Sequence, residues 1–152
     1  MLSSSLLQWT ASDNVTVSDE PGLLADVVAR VGGPDSTAVF TRVMVELNAS
    51  NIIIDNMWLW RAEVNTTLQR DCAHALVVNG DDIIAYGLAA EHVQSDVTIW
   101  NGERGRLLFY QCELDSFAHE PQDNTPDYGS NGVSGYRVNA KNHTAMGVGV
   151  YV

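Results

Sequence analysis

Lysine is almost missing from this chain: Lys141 is the only one in 152 residues. The 8 basic residues face 19 acidic ones, for a net charge of −11. Such a surface repels phosphate backbones, which leaves nucleic acid out as a partner. No run approaches the roughly 20 apolar residues of a membrane-spanning helix, so a membrane partner is not expected either. The opening Met1–Leu7 has neither a basic start nor a long apolar stretch and does not read as a secretory leader. Cysteine is scarce. Cys72 and Cys112 lack metal-site spacing and read as free thiols, Cys112 pointing inward and Cys72 sitting titratable in an insertion. His74, His92, His119 and His143 are scattered, with no ligand spacing among them. A nucleophile elbow, a phosphate loop and a dinucleotide fingerprint are all missing, so neither a metal nor a cofactor is expected. Neutral partners, such as uncharged glycans, remain compatible with this composition.

What is present is a repeat, in a chain whose 45% hydrophobic content suffices for one domain spanning 1–152. Val45–Ala49, Val77–Gly80, Ile99–Gly102 and Arg137–Ala140 each end in Asn followed by Ala or Gly, and each precedes a strand-like run. The asparagines Asn48, Asn79, Asn101 and Asn139 are 31, 22 and 38 residues apart. A bare turn of 22 residues, with insertions near 61–74 and 114–132, predicts a parallel β-helix of about four coils over 45–152. Gly80, Gly87, Gly102 and Gly105 argue against a helix over 76–114. One asparagine per coil at the same corner stacks as a ladder, since Asn tolerates a left-handed backbone and its amide reaches the next coil. Counting from each asparagine, the +9 column (Met57, Leu88, Tyr110, Val148) and the +11 column (Leu59, Ala90, Cys112, Val150) are apolar and are placed inward. Alternation then turns the +8, +10 and +12 columns outward. Residues 1–44 are less regular and read as an irregular N-terminal part or a cap. Within them Leu6–Thr10 reads as a strand, and Leu23–Val31 reads as a short helix or equally as a strand.

The strings Asp55–Ala62, His74–Asp82, Glu91–Gln94, Trp100–Glu103 and Phe109–Leu114 resemble a group of extracellular bacterial and fungal proteins often labelled coagulation factor 5/8 type domain proteins or, misleadingly, adenylyl cyclases. These are similar to the right-handed β-helix glycoside hydrolases, which include glucanases and polygalacturonases. The resemblance covers roughly residues 20–152 and implies an all-β, right-handed solenoid, a secreted protein and a polysaccharide or oligosaccharide substrate. Sequons at Asn14, Asn48, Asn65 and Asn142 support secretion weakly. The chain departs from the pattern at Glu63-Val64, where an Asp-His pair is expected, and at Ser116-Phe117-Ala118, in place of a proline-rich loop. It is also much shorter than such proteins, which implies a fragment that begins inside the β-helix.

Glycoside hydrolysis uses two carboxyl groups, one protonated and one ionised. Glu91 and Glu113 share the +12 column on adjacent coils, about 5 Å apart, near the separation found in retaining enzymes. They are the leading catalytic candidates. Trp58, Trp60 and Gln111 lie beside them as sugar-holding residues, and His92 is placed to bond a substrate hydroxyl or to orient a carboxylate. Asp81 and Asp82, with Asp55 one coil before, are a reserve set that the resemblance favours. Their offsets do not align, and Asp82 with Arg104 and Glu103 with Lys141 read equally as ion pairs bracing a corner. A solvated acidic ladder is the plain alternative for Glu91 and Glu113. A non-catalytic glycan-binding or structural module, or an inactive fragment, is the alternative for the whole chain.

Overall fold

The computed structural model describes residues 5–11, 20–33, 38–62, 70–115 and 133–152. These residues form ten strands: β1 (Ser5–Trp9), β2 (Gly22–Val31), β3 (Val39–Leu47), β4 (Ile52–Arg61), β5 (Arg70–Val78), β6 (Ile84–Glu91), β7 (Thr98–Trp100), β8 (Gly105–Glu113), β9 (Tyr136–Val138) and β10 (His143–Tyr151). Odd strands pair in the order β1-β3-β5-β7-β9 and even strands in the order β2-β4-β6-β8-β10. Every pairing is parallel. Each odd strand, its corner and the following even strand make one coil of a parallel β-helix. The asparagine repeat marks four coils, and β1 with β2 stacks in register beneath them. Leu23–Val31, open between helix and strand on sequence, lies within β2. Residues 63–64, 116–118 and 119, and most of the two insertions, fall outside the described residues.

The corner ladder forms as the repeat predicts. The amide of Asn79 donates to Asn48 Oδ1, that of Asn101 to Asn79 Oδ1 and that of Asn139 to Asn101 Oδ1, each at 2.7 Å. Asn48 in turn donates to Thr10 Oγ1 at 3.4 Å, so its amide is part of the ladder. A second ladder runs two residues on. The Asp81 N–H donates to Ser50 Oγ, the Glu103 N–H to Asp81 Oδ1 and the Lys141 N–H to Glu103 Oε1. Glu103 braces its corner chiefly by accepting from the backbone N–H groups of Lys141 and Asn142, and the charge of Lys141 adds a smaller attraction to the pairing that the sequence suggested. Replacing Asn79 with Ala should strand the amide groups of Asn48 and Asn101 and cost about 1–2 kcal/mol. A lower urea midpoint with an unchanged m-value would register this.

The inward columns are the core. Met57, Leu88 and Tyr110 pair in one row and Leu59, Ala90 and Cys112 in the next, all at most 1% exposed. Val148 and Val150 continue these rows in β10 but stay 45% exposed, since among the described residues no further strand packs over them. Cys72 corrects an expectation: it lies in β5, fully buried, rather than in a loop. Both cysteines are free. Burial pushes the Cys72 thiol up to about 12 and the Cys112 thiol up to about 11. The thiolate is the nucleophile, so raised values silence both groups near neutrality. Iodoacetamide at mildly alkaline pH should leave both cysteines unmodified in the native protein and label both in denaturant.

Candidate active site

The even sheet turns one face to solvent. Along its outer edge Arg30, Trp60, Glu91, Glu113 and Tyr151 are successive Cα partners, one from each coil. The row two residues before them is Val28, Trp58, Ala89, Gln111 and Gly149. Glu91 and Glu113 thus sit directly opposite each other on neighbouring strands, whose backbones lie about 4.8 Å apart. The Glu113 side chain is 37% exposed, so solvent and ligands reach it. Gln111 Nε2 donates to Tyr151 Oη. Tyr151 lies beside Glu113, and its phenol is held above the ordinary tyrosine range by partial desolvation first, then by the negative charges of Glu113 and Glu91.

The two tryptophans differ in what covers them. Their rings stack at a centroid distance of 5.7 Å and an interplanar angle of 13°. The Arg30 guanidinium lies over Trp60, 4.5 Å from the ring centroid. Trp58 remains 43% exposed and is the more open surface. The Trp60 indole N–H donates to His92 Nδ1 at 3.2 Å. His92 Nε2 lies 3.4 Å from Glu113 Oε1.

His92 follows β6 directly, at a left-handed φ of 61°. That conformation is uncommon outside glycine, although His adopts it more readily than most residues. Both ends of its peptide are tied. Its N–H donates to the Glu113 carbonyl at 2.9 Å. Its carbonyl accepts from Arg61 Nε, and Arg61 Nη2 pairs with the nearly buried Asp115 carboxylate.

A left-handed column crosses the sheet at +8. Asp26, Asn56, Gly87, Phe109 and Gly147 all have positive φ, between 54° and 68°. Each strand therefore kinks at the same height. Phe109, 70% exposed, stands there, one residue beyond Leu108, the register partner of the half-exposed Tyr86. Glycine and alanine at Gly87, Ala89, Gly147 and Gly149 leave the floor between the aromatics and the carboxylates low.

The reserve candidates are not brought to this place. Asp81 and Asp82 occupy the corner before β6, at the far end of that strand from Glu91. Arg104 grips Asp82 through two hydrogen bonds, of 2.7 and 2.8 Å, and reaches Asp81 at 3.3 Å. The Arg104 guanidinium holds the Asp82 carboxyl below the usual range. Asp55 pairs with Tyr86 across the sheet rather than with either aspartate. The +12 column already ended on Tyr151, counted from Asn139, but no role was read for it. Arg30, Arg61, Asp115, Tyr86 and Phe109 were not singled out, and Arg30 was discoverable by extending the +12 column one coil back from Trp60. The contact between Arg61 and Asp115, 54 residues apart, leaves no local signal.

Comparison with known proteins places this geometry in context. A family model described as the LAM55 pectate lyase-like domain matches residues 2–113. The chain is similar to an exo-beta-1,3-glucanase from Streptomyces sp. (strain SirexAA-E / ActE), with 31% identity over 138 residues, 86% of this chain and 22% of the relative. It superposes on the structure of sacteLam55A from Streptomyces sp. SirexAA-E with a TM-score of 0.82 at 27% identity, covering 97% of this chain and 28% of that one. A variant of that protein refined in complex with glucose gives a TM-score of 0.81 at 26% identity, covering 99% of this chain and 28% of that one. The chain thus spans about a quarter of the length of the proteins it matches.

Proposed function

The chain belongs to the LAM55 pectate lyase-like domain family, and from that premise we propose that it carries a glucan-hydrolysing site with Glu91 and Glu113 as its paired carboxyls. The observation that carries this reading is the direct pairing of the two glutamates on the outer face of β6 and β8, beside the open ring of Trp58. Glycosidic cleavage needs two carboxyl groups, one to protonate the leaving oxygen and one to act beside it, and these two stand one strand apart. Trp58 gives an uncharged sugar ring a flat apolar surface. The low floor and the aromatics Tyr86 and Phe109 extend this surface along the strands. A surface of net charge −11 accepts a neutral polymer more readily than an acidic one. The β-1,3-glucanase relative and its glucose-bound counterpart support glucan as the substrate class. Action on such a polymer supports a secreted protein, as does the exposed sequon at Asn142.

The test is incubation with laminarin, α-1,3-glucan and polygalacturonate. Release of glucose from laminarin, and little from the other two, is expected. Retention on β-1,3-glucan without any release of reducing ends would make the chain a binding module, and indifference to all three would remove the reading.

A further inference from the structure

We propose that His92 is the positioning residue for Glu113, and that Trp60, through its indole N–H, locks the imidazole in the tautomer that faces the carboxylate. The proposal rests on the reading of Glu113 as a catalytic carboxyl. An indole nitrogen only donates. Its 3.2 Å contact with His92 Nδ1 therefore requires a lone pair on Nδ1, which puts the ring proton on Nε2. Nε2 is the atom that faces Glu113 Oε1, at 3.4 Å.

The ring has little freedom to leave this arrangement. The His92 backbone sits at a φ of 61°, with its N–H bound to Glu113 O and its carbonyl bound to Arg61. Arg61 is fixed in turn by Asp115. Residues of three successive even strands or their ends thus fix one imidazole: Trp60 and Arg61 from β4, His92 after β6, and Glu113 and Asp115 at the end of β8. A donated N–H fixes how the carboxylate is turned relative to the outer face of the sheet. Trp60 is consequently not the sugar platform that its place beside Trp58 first suggests. Arg30 already lies over its ring and Trp58 stacks alongside.

Trp60→Phe separates the two roles, because it keeps an aromatic face and removes the N–H. On laminarioligosaccharides, Trp60→Phe should lower kcat on the order of tenfold to a hundredfold, as misplacement of a reacting group does, with KM little changed. Trp58→Ala should instead raise KM. A Trp60→Phe enzyme with wild-type kcat, or one changed only in KM, would overturn the proposal. A second readout does not depend on turnover. Ring-nitrogen NMR of the native protein should show His92 protonated at Nε2 and bare at Nδ1, and Trp60→Phe should mix the tautomers. An Nδ1–H tautomer in the wild type would overturn the proposal even in a fully active enzyme. The expected tautomer in a protein that cleaves no glucan would instead retire the catalytic reading while the relay stands.

Discussion

Replacing Glu113 with Gln is expected to abolish most glucan hydrolysis while leaving the fold and glucan retention intact. The substitution is nearly isosteric, and the amide oxygen still accepts from His92 Nε2, which faces Glu113 in the native protein. What is lost is the ability to give up or take a proton. General acid–base groups contribute about 10²–10⁴-fold to rate, so kcat on laminarin should fall by roughly that factor. Glu91→Gln should behave alike, because the glutamates are direct register partners. Retention on insoluble β-1,3-glucan should persist in both variants, since Trp58 is untouched. Full activity in either variant would show that the pair is only a ladder of solvated charges.

Replacing Gly102 with Ala is expected to cause the largest loss of stability of any single methyl addition considered for the corners. A Cβ on Gly102 would lie 1.8 Å from the Gly80 carbonyl oxygen and 2.6 Å from its carbon. The obstacle is backbone, which cannot rotate away as a side chain tip would. The corner cannot open either, because Asn101 N–H and Gly102 N–H both bond to Val78 O and the asparagine ladder ties the same turn. Overpacking usually costs 1–3 kcal/mol, and a clash with fixed backbone belongs at about 3 kcal/mol or more. For a chain of this size that is a fall in Tm of about 6–12 °C. Gly80→Ala meets Ala49 O at 1.9 Å and should behave alike, whereas Gly33→Ala meets nothing within 4 Å and serves as the control. Equal melting temperatures for Gly102→Ala and Gly33→Ala would contradict the close stacking of the corners.

The parts of this molecule that were legible in its sequence are those that repeat at fixed offset. Asparagine amides are self-complementary, one donor and one acceptor per step, so a ladder demands the same residue in each coil and leaves Asn48, Asn79, Asn101 and Asn139 as visible marks. The inward rows followed because a coil has one inside, and alternation from Met57 or Leu88 fixes it. The coil of β1 and β2 was hidden for the same reason: Thr10 holds the place of asparagine in the ladder, so the mark is absent. Cys72 was misplaced because the stretch after Trp60 looked like one long insertion, whereas β5 already begins at Arg70. In the site, the columns delivered the two glutamates. They could not deliver the pinned turn at His92, because a left-handed histidine after a strand and a bond from Arg61 to its carbonyl arise only when three coils are stacked. The +8 kink was half visible, since Asn56, Gly87 and Gly147 are residues that accept positive φ, but Phe109 in the same column argued against it.

The stacking of coils also sets how the molecule comes apart. In a solenoid each unit touches only its neighbours, so cohesion behaves as a linear chain of nearest-neighbour terms and opening begins where a unit has one neighbour instead of two. Among the described residues β10 is such a unit, paired with β8 alone and with Val148 and Val150 half uncovered. In a polypeptide of these 152 residues, amide protons of β10 should therefore exchange with solvent well before those of β4 and β6. Opening at that level removes Tyr151 from Gln111 and Glu113 while the β6–β8 seam, which joins the two glutamates, stays closed. The carboxyl pair and the phenol beside it thus belong to different seams of the stack, the glutamates to β6–β8 and Tyr151 to β8–β10.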